Sequence, residues 1–237
     1  MKKRQITIKD IAKALHISPS TVSRSLADHP DISQETKNIV NAYAREHKYK
    51  PNALALSLRT NNTKTIGVIL PQIVHYFFSS VLSGIEDEAE KGGYRVIICQ
   101  SNENYEKEVK GAQALLEARV CGVLASVAKT TTIYNHFQEL IDSDIPMVFF
   151  DRICTGILTD RVVVDDYAGV CSAVEYLIRS GCRRIAFFGS PSHLAISNNR
   201  RMGYEDALRK NGLPVDKELI KICDNYTEAL RLTPELL

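Results

Sequence analysis

Thr7, Ser18, Ser20, Thr21, Ser23 and Arg24, with Pro19 among them, are crowded into the first tenth of the chain. Short hydroxyl side chains bond phosphate oxygens, and an arginine can grip two acceptors on a guanine edge in the major groove. To work together these groups must project from the start of one helix that enters the groove, which is what a helix-turn-helix provides. The stretch 7–26, TIKDIAKALHISPSTVSRSL, carries the required signals. Thr7 can cap a first helix with Asp10 as the returning acid, and Ile8, Ile11, Ala12 and Leu15 fall on one face. That helix ends near His16. Ser18 offers a second cap, Pro19 suits a first helical position, and Val22 and Leu26 turn back toward the first helix. Ser20, Thr21, Ser23 and Arg24 are left facing outward.

Charge is distributed to match. Of the 237 residues, 1–64 carry 12 Lys+Arg against 5 Asp+Glu, a balance of +7, and the remainder carries 18 against 23, or −5. A basic surface alone barely favours nucleic acid, but with a helix-turn-helix pattern it is persuasive. No apolar run reaches the length of a membrane span, and MKKRQITIKD has no apolar signal core, so a cytoplasmic, nucleoid-associated location and no membrane partner are expected. Cys99, Cys121, Cys154, Cys171, Cys182 and Cys223 include no CxxC pair and are expected as buried reduced thiols; neither metal nor cofactor is expected.

Beyond the helix pair, Ser33 caps a third helix whose Ile39, Val40, Tyr43 and Ala44 can cover the other two, and Tyr43 and Tyr49 read as packing residues. The segment YKPNALALSLRTNNTK follows. Asn52 can cap ALALSLR, a helix of about two turns that is too short to stand alone in water. It is either a linker with a helical tendency or a conditional helix that forms when two copies meet on DNA, with Leu58 wedged into a minor-groove step and Arg59 reaching the groove. From Thr65 the pattern alternates. TIGVIL, YRVIIC, GVLA, PMVFF, RVVV and RRIAFF read as strands, and 78–91, 105–118, 134–142, 167–180 and 199–210 as helices. Uninterrupted apolar strands between amphipathic helices predict parallel sheets covered on both faces, with ligands at the strands' carboxyl ends.

Those ends hold no GxGxxG, no GxxxxGK[ST] and no GxSxG, so dinucleotide, P-loop and hydrolase readings lack their machinery. The six His residues have no nominated partner and are expected at surface or capping positions. Asp151, Asp165 and Asp166 are better placed to bind hydroxyls or pair locally than to complete a catalytic set, so no enzyme activity is expected.

The order of parts resembles the lactose-repressor (LacI/GalR) family of bacterial transcription regulators. The resemblance rests on TIKDIAKALHISPSTVSRSL, on YKPNALALSLRTNNTKTIGVILP, and on FFDR, VVVDDYAG and RRMGYEDAL. It implies an all-α helix-turn-helix headpiece at 1–50, a hinge at 51–64, and an α/β core of periplasmic-binding-protein type at 65–237. The core would divide into a first subdomain at about 65–160 and part of a second at 161–237. It further implies a homodimer on a palindromic double-stranded operator, probing base edges with Pro19, Ser20 and Arg24. Thr7, Ser18, Thr21, Ser23 and Asn52 match phosphate-facing or capping positions, and Leu58 the leucine inserted at the operator centre, with Arg59 beside it. Asp151 and Arg200 resemble the family's contacts to a small-molecule effector, a sugar or related metabolite, with Tyr76 and Phe77 where the first strand's loop lines the pocket. A helix-surface salt bridge is the structural alternative for Arg200. Family members run on for roughly a hundred residues past Leu237, so the second subdomain is expected to be incomplete. The leading expectation is a repressor; the rival is a solute-binding protein without DNA function.

Overall fold

The computed structural model describes residues 6–50, 63–223 and 225–236, and falls into two compact units, Met1–Asn61 and Asn62–Leu237. In the first, α1 (Ile8–Ala14), α2 (Pro19–Leu26) and α3 (Gln34–Glu46) each start at a hydroxyl cap. Thr7 and Asp10 form a full capping box: the Asp10 N–H donates to Thr7 Oγ1 at 3.3 Å and the Thr7 N–H to Asp10 Oδ2 at 2.9 Å. His16, at φ +54°, makes the tight turn. Ile11, Ala12, Val22, Val40 and Ala44 are the buried centre, with Leu15, Leu26, Tyr43 and Tyr49 packed around them. Ile39, expected to cover the other helices, is instead 51% exposed. The inward stripe of α3 runs through Lys37, Val40 and Ala44, and one residue of helix turns Ile39 about 100° away from Val40. Lys37 buries its stem and delivers its Nζ to Asp28 Oδ1 at 2.8 Å.

The second unit begins with a parallel sheet of five strands, β1 (Thr65–Leu70), β2 (Arg95–Gln100), β3 (Gly122–Ala125), β4 (Met147–Phe150) and β5 (Asp160–Val162), in the order β2-β1-β3-β4-β5. Ile66 pairs with Val96 on one side and Gly122 on the other, fixing the register. Alternation sends Ile69, Ala125 and Phe149 to a core with Leu115 of α5 (Tyr105–Glu117) and Phe137 of α6 (Asn135–Asp142). Val68, Leu70 and Phe150 face Phe78 and Leu82 of α4 (Tyr76–Lys91) on the other side. The order reverses between β1 and β3, and the carboxyl ends there form the natural crevice.

A second sheet pairs β6 (Phe187–Gly189) with β7 (Ile220–Ile222) in parallel. It packs on α7 (Asp166–Arg179) and α8 (Ala195–Lys210), whose Val174, Ile178, Tyr204 and Leu208 are buried together; α9 (Tyr226–Leu236) follows. Parallel sheets between helices are thus as expected, with shifts in detail. RRIAFF ladders only from Phe187, because its partner β7 is three residues long and was not anticipated at all. RVVV enters the ladder only as Asp160–Val162, leaving Val163 and Val164 exposed. α8 starts a turn before the expected 199. Among the described residues no helix is long and apolar enough to cross a membrane, and no His/Cys/Asp/Glu group is arranged to hold a metal.

Candidate functional site

On the first unit the outward residues gather at the start of α2. Ser18 Oγ receives the Thr21 N–H at 3.0 Å and lies 2.7 Å from Ser20 Oγ and 2.8 Å from Thr21 Oγ1, so one cap organises three hydroxyls. Pro19 and Ser20 are exposed, Thr21 and Ser23 half-buried, and Thr7 is exposed but spent on its capping box. Arg24, one turn on, is exposed, its Nη1 3.9 Å from Asp31 Oδ2, which also lies 3.4 Å from His29 Nδ1. A pair so exposed and so long is worth little, so the guanidinium can be recruited elsewhere. Ser25, on the inner side, is buried and bonds back to the Thr21 carbonyl. Asn52, Leu58 and Arg59, with the hinge reading, lie outside the described residues.

On the second unit the strand ends converge on Asp151, which follows β4 in a left-handed conformation (φ +57°) that Asp tolerates better than most residues. Burial pushes its carboxyl above the ordinary range, with Asp166 adding to the rise, against the pull of Arg152, Arg200 and the Ser126 hydroxyl. Arg152 commits elsewhere: its Nη1 is 2.8 Å from both oxygens of Glu103, while its Nε stands 3.9 Å from Asp151, and its plane lies 5.9 Å from the Phe78 ring. Glu103 also accepts the Lys129 backbone N–H at 2.8 Å.

Arg200 forms a 2.7 Å pair with Asp166, the first residue of α7. Gly203 permits this: a Cβ there would sit 2.5 Å from the Tyr167 carbonyl oxygen, so only glycine lets α8 approach α7 closely enough. The salt-bridge reading of Arg200 is therefore realised, yet the same pair reaches Asp151 electrostatically. Phe77 is half exposed and stands edge-on to Phe78, while Tyr76 is 87% exposed at the head of α4. Asp151 and Arg200 are thus brought together, and Tyr76 stays in solvent. Asp166 pairs locally, one of the two roles expected of it, whereas Arg152 stands in the sequence only as part of FFDR and Glu103 carries no signal of its own there. His136 corrects the surface expectation for histidines: it is 6% exposed, with its Nε2 3.0 Å from the fully buried Glu108. The crevice offers paired charges of both signs and fixed hydrogen-bonding groups, suited to orienting a small polar molecule.

Residues 63–236 match the family described as periplasmic binding proteins and sugar binding domain of LacI family, and residues 7–52 match bacterial regulatory proteins, lacI family. The chain belongs to the LacI family. Within it, the HTH-type transcriptional regulator RegA of Clostridium saccharobutylicum is 34% identical over 217 residues, 90% of this chain and 64% of that protein. The ribose operon repressor of Bacillus subtilis (strain 168) is 34% identical over 204 residues, 86% of this chain and 60% of that one. This LacI-family chain therefore spans less than two thirds of the length of these two relatives. Its fold is also that of a lac repressor dimer solved bound to operator and the anti-inducer ONPF, with a TM-score of 0.80 at 20% identity, covering 98% of this chain and 71% of that one.

Proposed function

We propose that this LacI-family chain is a sequence-specific DNA-binding transcription regulator, a repressor that acts in the cytoplasm as a homodimer on a palindromic operator. It is a binding protein and not an enzyme, and it responds to a small polar effector, a sugar or related metabolite. The observation that carries the reading is the exposed Ser18, Ser20 and Arg24 set on a capped helix of the basic unit. Ser20 and Arg24 would read base edges; Pro19, whose ring has no donor, would only add contact. Thr7, Ser18, Thr21 and Ser23 would seat phosphates or hold caps. In the core, Asp151 and Arg200 would hold effector hydroxyls, with Phe77 and Tyr76 at the rim. A solute-binding protein accounts for the core equally well but leaves the helix-turn-helix unused. Titrating genomic fragments against the chain at increasing salt tests the reading. Affinity should fall by roughly a thousandfold or more between 50 and 200 mM salt if six or more phosphates are neutralised, and a flat response would overturn it.

A further inference from the structure

Glu108 is a carboxylate on α5 with no exposure at all, in a place where an unsatisfied charge would be costly. Three donors satisfy it: the Ala128 backbone N–H at 2.5 Å, Thr131 Oγ1 at 2.7 Å and His136 Nε2 at 3.0 Å. Two of these belong to the segment 126–131 that leaves β3 at the crevice. Glu103 grips the same segment from its other side, accepting the Lys129 N–H at 2.8 Å while Thr130 Oγ1 donates to its carbonyl at 3.0 Å. Consecutive N–H groups, those of residues 128 and 129, are thus spent on two different carboxylates, which fixes the peptide planes on either side of Ala128, immediately before the Lys129 carbonyl. That carbonyl receives His193 Nε2 at 2.6 Å, from the loop after β6 in the other sheet. A carbonyl only accepts, so Nε2 carries the proton.

We propose that Glu108 and His193 are positioning residues of the ligand crevice: Glu108 presets the 126–131 segment, and His193 latches onto it from the opposite sheet. The inference rests on the reading of the strand ends as an effector site. Glu108 cannot touch a ligand from its buried place; it acts through the loop, whose other end of travel is set by whether His193 is engaged. A ligand entering between the sheets must then accommodate or exchange the His193 bond.

Amide exchange on the full chain tests this without any ligand, reading the Thr131 N–H, bonded to the Ala128 carbonyl, and the Leu194 N–H, bonded to the Pro191 carbonyl. His193→Ala should speed both by tenfold or more, and His193→Gln, whose amide N–H can reach the same carbonyl, should restore them. Glu108→Gln should speed both as well, although it lies on the far side of the latch. It should also move the His136 proton from Nε2 to Nδ1, a change visible in the imidazole nitrogen resonances. Unchanged exchange in His193→Ala removes the latch, and a Glu108→Gln effect confined to Thr131 reduces Glu108 to local packing. If Glu108→Gln fails to fold, the His193 pair still decides the latch. DNA binding by the unmodified chain is scored separately: its failure would sink the regulator reading and leave the exchange results standing.

Discussion

Arg24 stands a helical turn beyond the hydroxyls held by Ser18, and its ion-pair partner Asp31 is 3.9 Å away and exposed. Its guanidinium costs little to redirect toward a base. Arg24→Ala should therefore relax preference at one base pair per half-site by roughly 1 to 3 kcal/mol, measured by selecting bound DNA from a random pool. Equal weakening on every sequence would instead make Arg24 a phosphate contact. Asp151 carries a prediction of the opposite kind. Because burial raises its folded-state pKa above the unfolded value, the folded chain binds the proton more tightly. The stability this contributes is full below the unfolded pKa and lost as pH rises through the raised one. Asp151→Asn, which tolerates the left-handed backbone, should melt higher than the parent near neutral pH, and the gap should close as the pH falls to the ordinary carboxylate range. A gap that widens on acidification would reverse the sign. Single positions were readable where partners are close in the chain, as with Thr7 and Asp10. Glu108 and His136 were not, since their bond joins residues 28 apart and nothing in either neighbourhood announces it.

Helices α7 and α8 illustrate how one small residue decides the geometry of two long elements. With the Tyr167 carbonyl 2.5 Å from any added Cβ, Gly203→Ala must part the helices. The better helix propensity of alanine offsets little of that. Net destabilisation of about 1 to 3 kcal/mol is expected in urea unfolding, together with loss of the Arg200–Asp166 pair; an Arg200→Ala control should show no comparable drop. Elements were legible wherever periodicity and caps agreed: Thr7, Ser18 and Ser33 each accept from the third residue of their helices. Legibility failed at β7 and the start of α8. A strand of three residues is too short to show alternation, and Leu194 caps α8 without a side-chain bond, so no polar signal marks the boundary.

The two units differ in size, charge and buried area. The first holds five buried apolar residues at its centre, while the second has cores on both faces of its larger sheet. Small units bury a lesser share of their surface and are correspondingly marginal. Calorimetry should resolve two transitions, and only the one assigned to the first unit should shift upward when DNA is added. A single transition moving as a whole would mean that the units melt as one. The +7 against −5 division was visible in composition, and the sheet class in the strand rhythm; what composition could not convey was which crevice residues neutralise one another.

The contrast in where bonds are formed also sets an order in time. Every cap of the first three helices is made within three residues, whereas β1 must wait for partners such as Cys121, 56 residues further along. Local contacts form fast and distant pairings slowly. During synthesis, at roughly 5 to 20 residues per second, the proposed DNA reader is complete several seconds before the sheet that would sense the effector has its third strand. On the proposed reading, each newly made chain would for that interval carry a reader with no sensor to govern it.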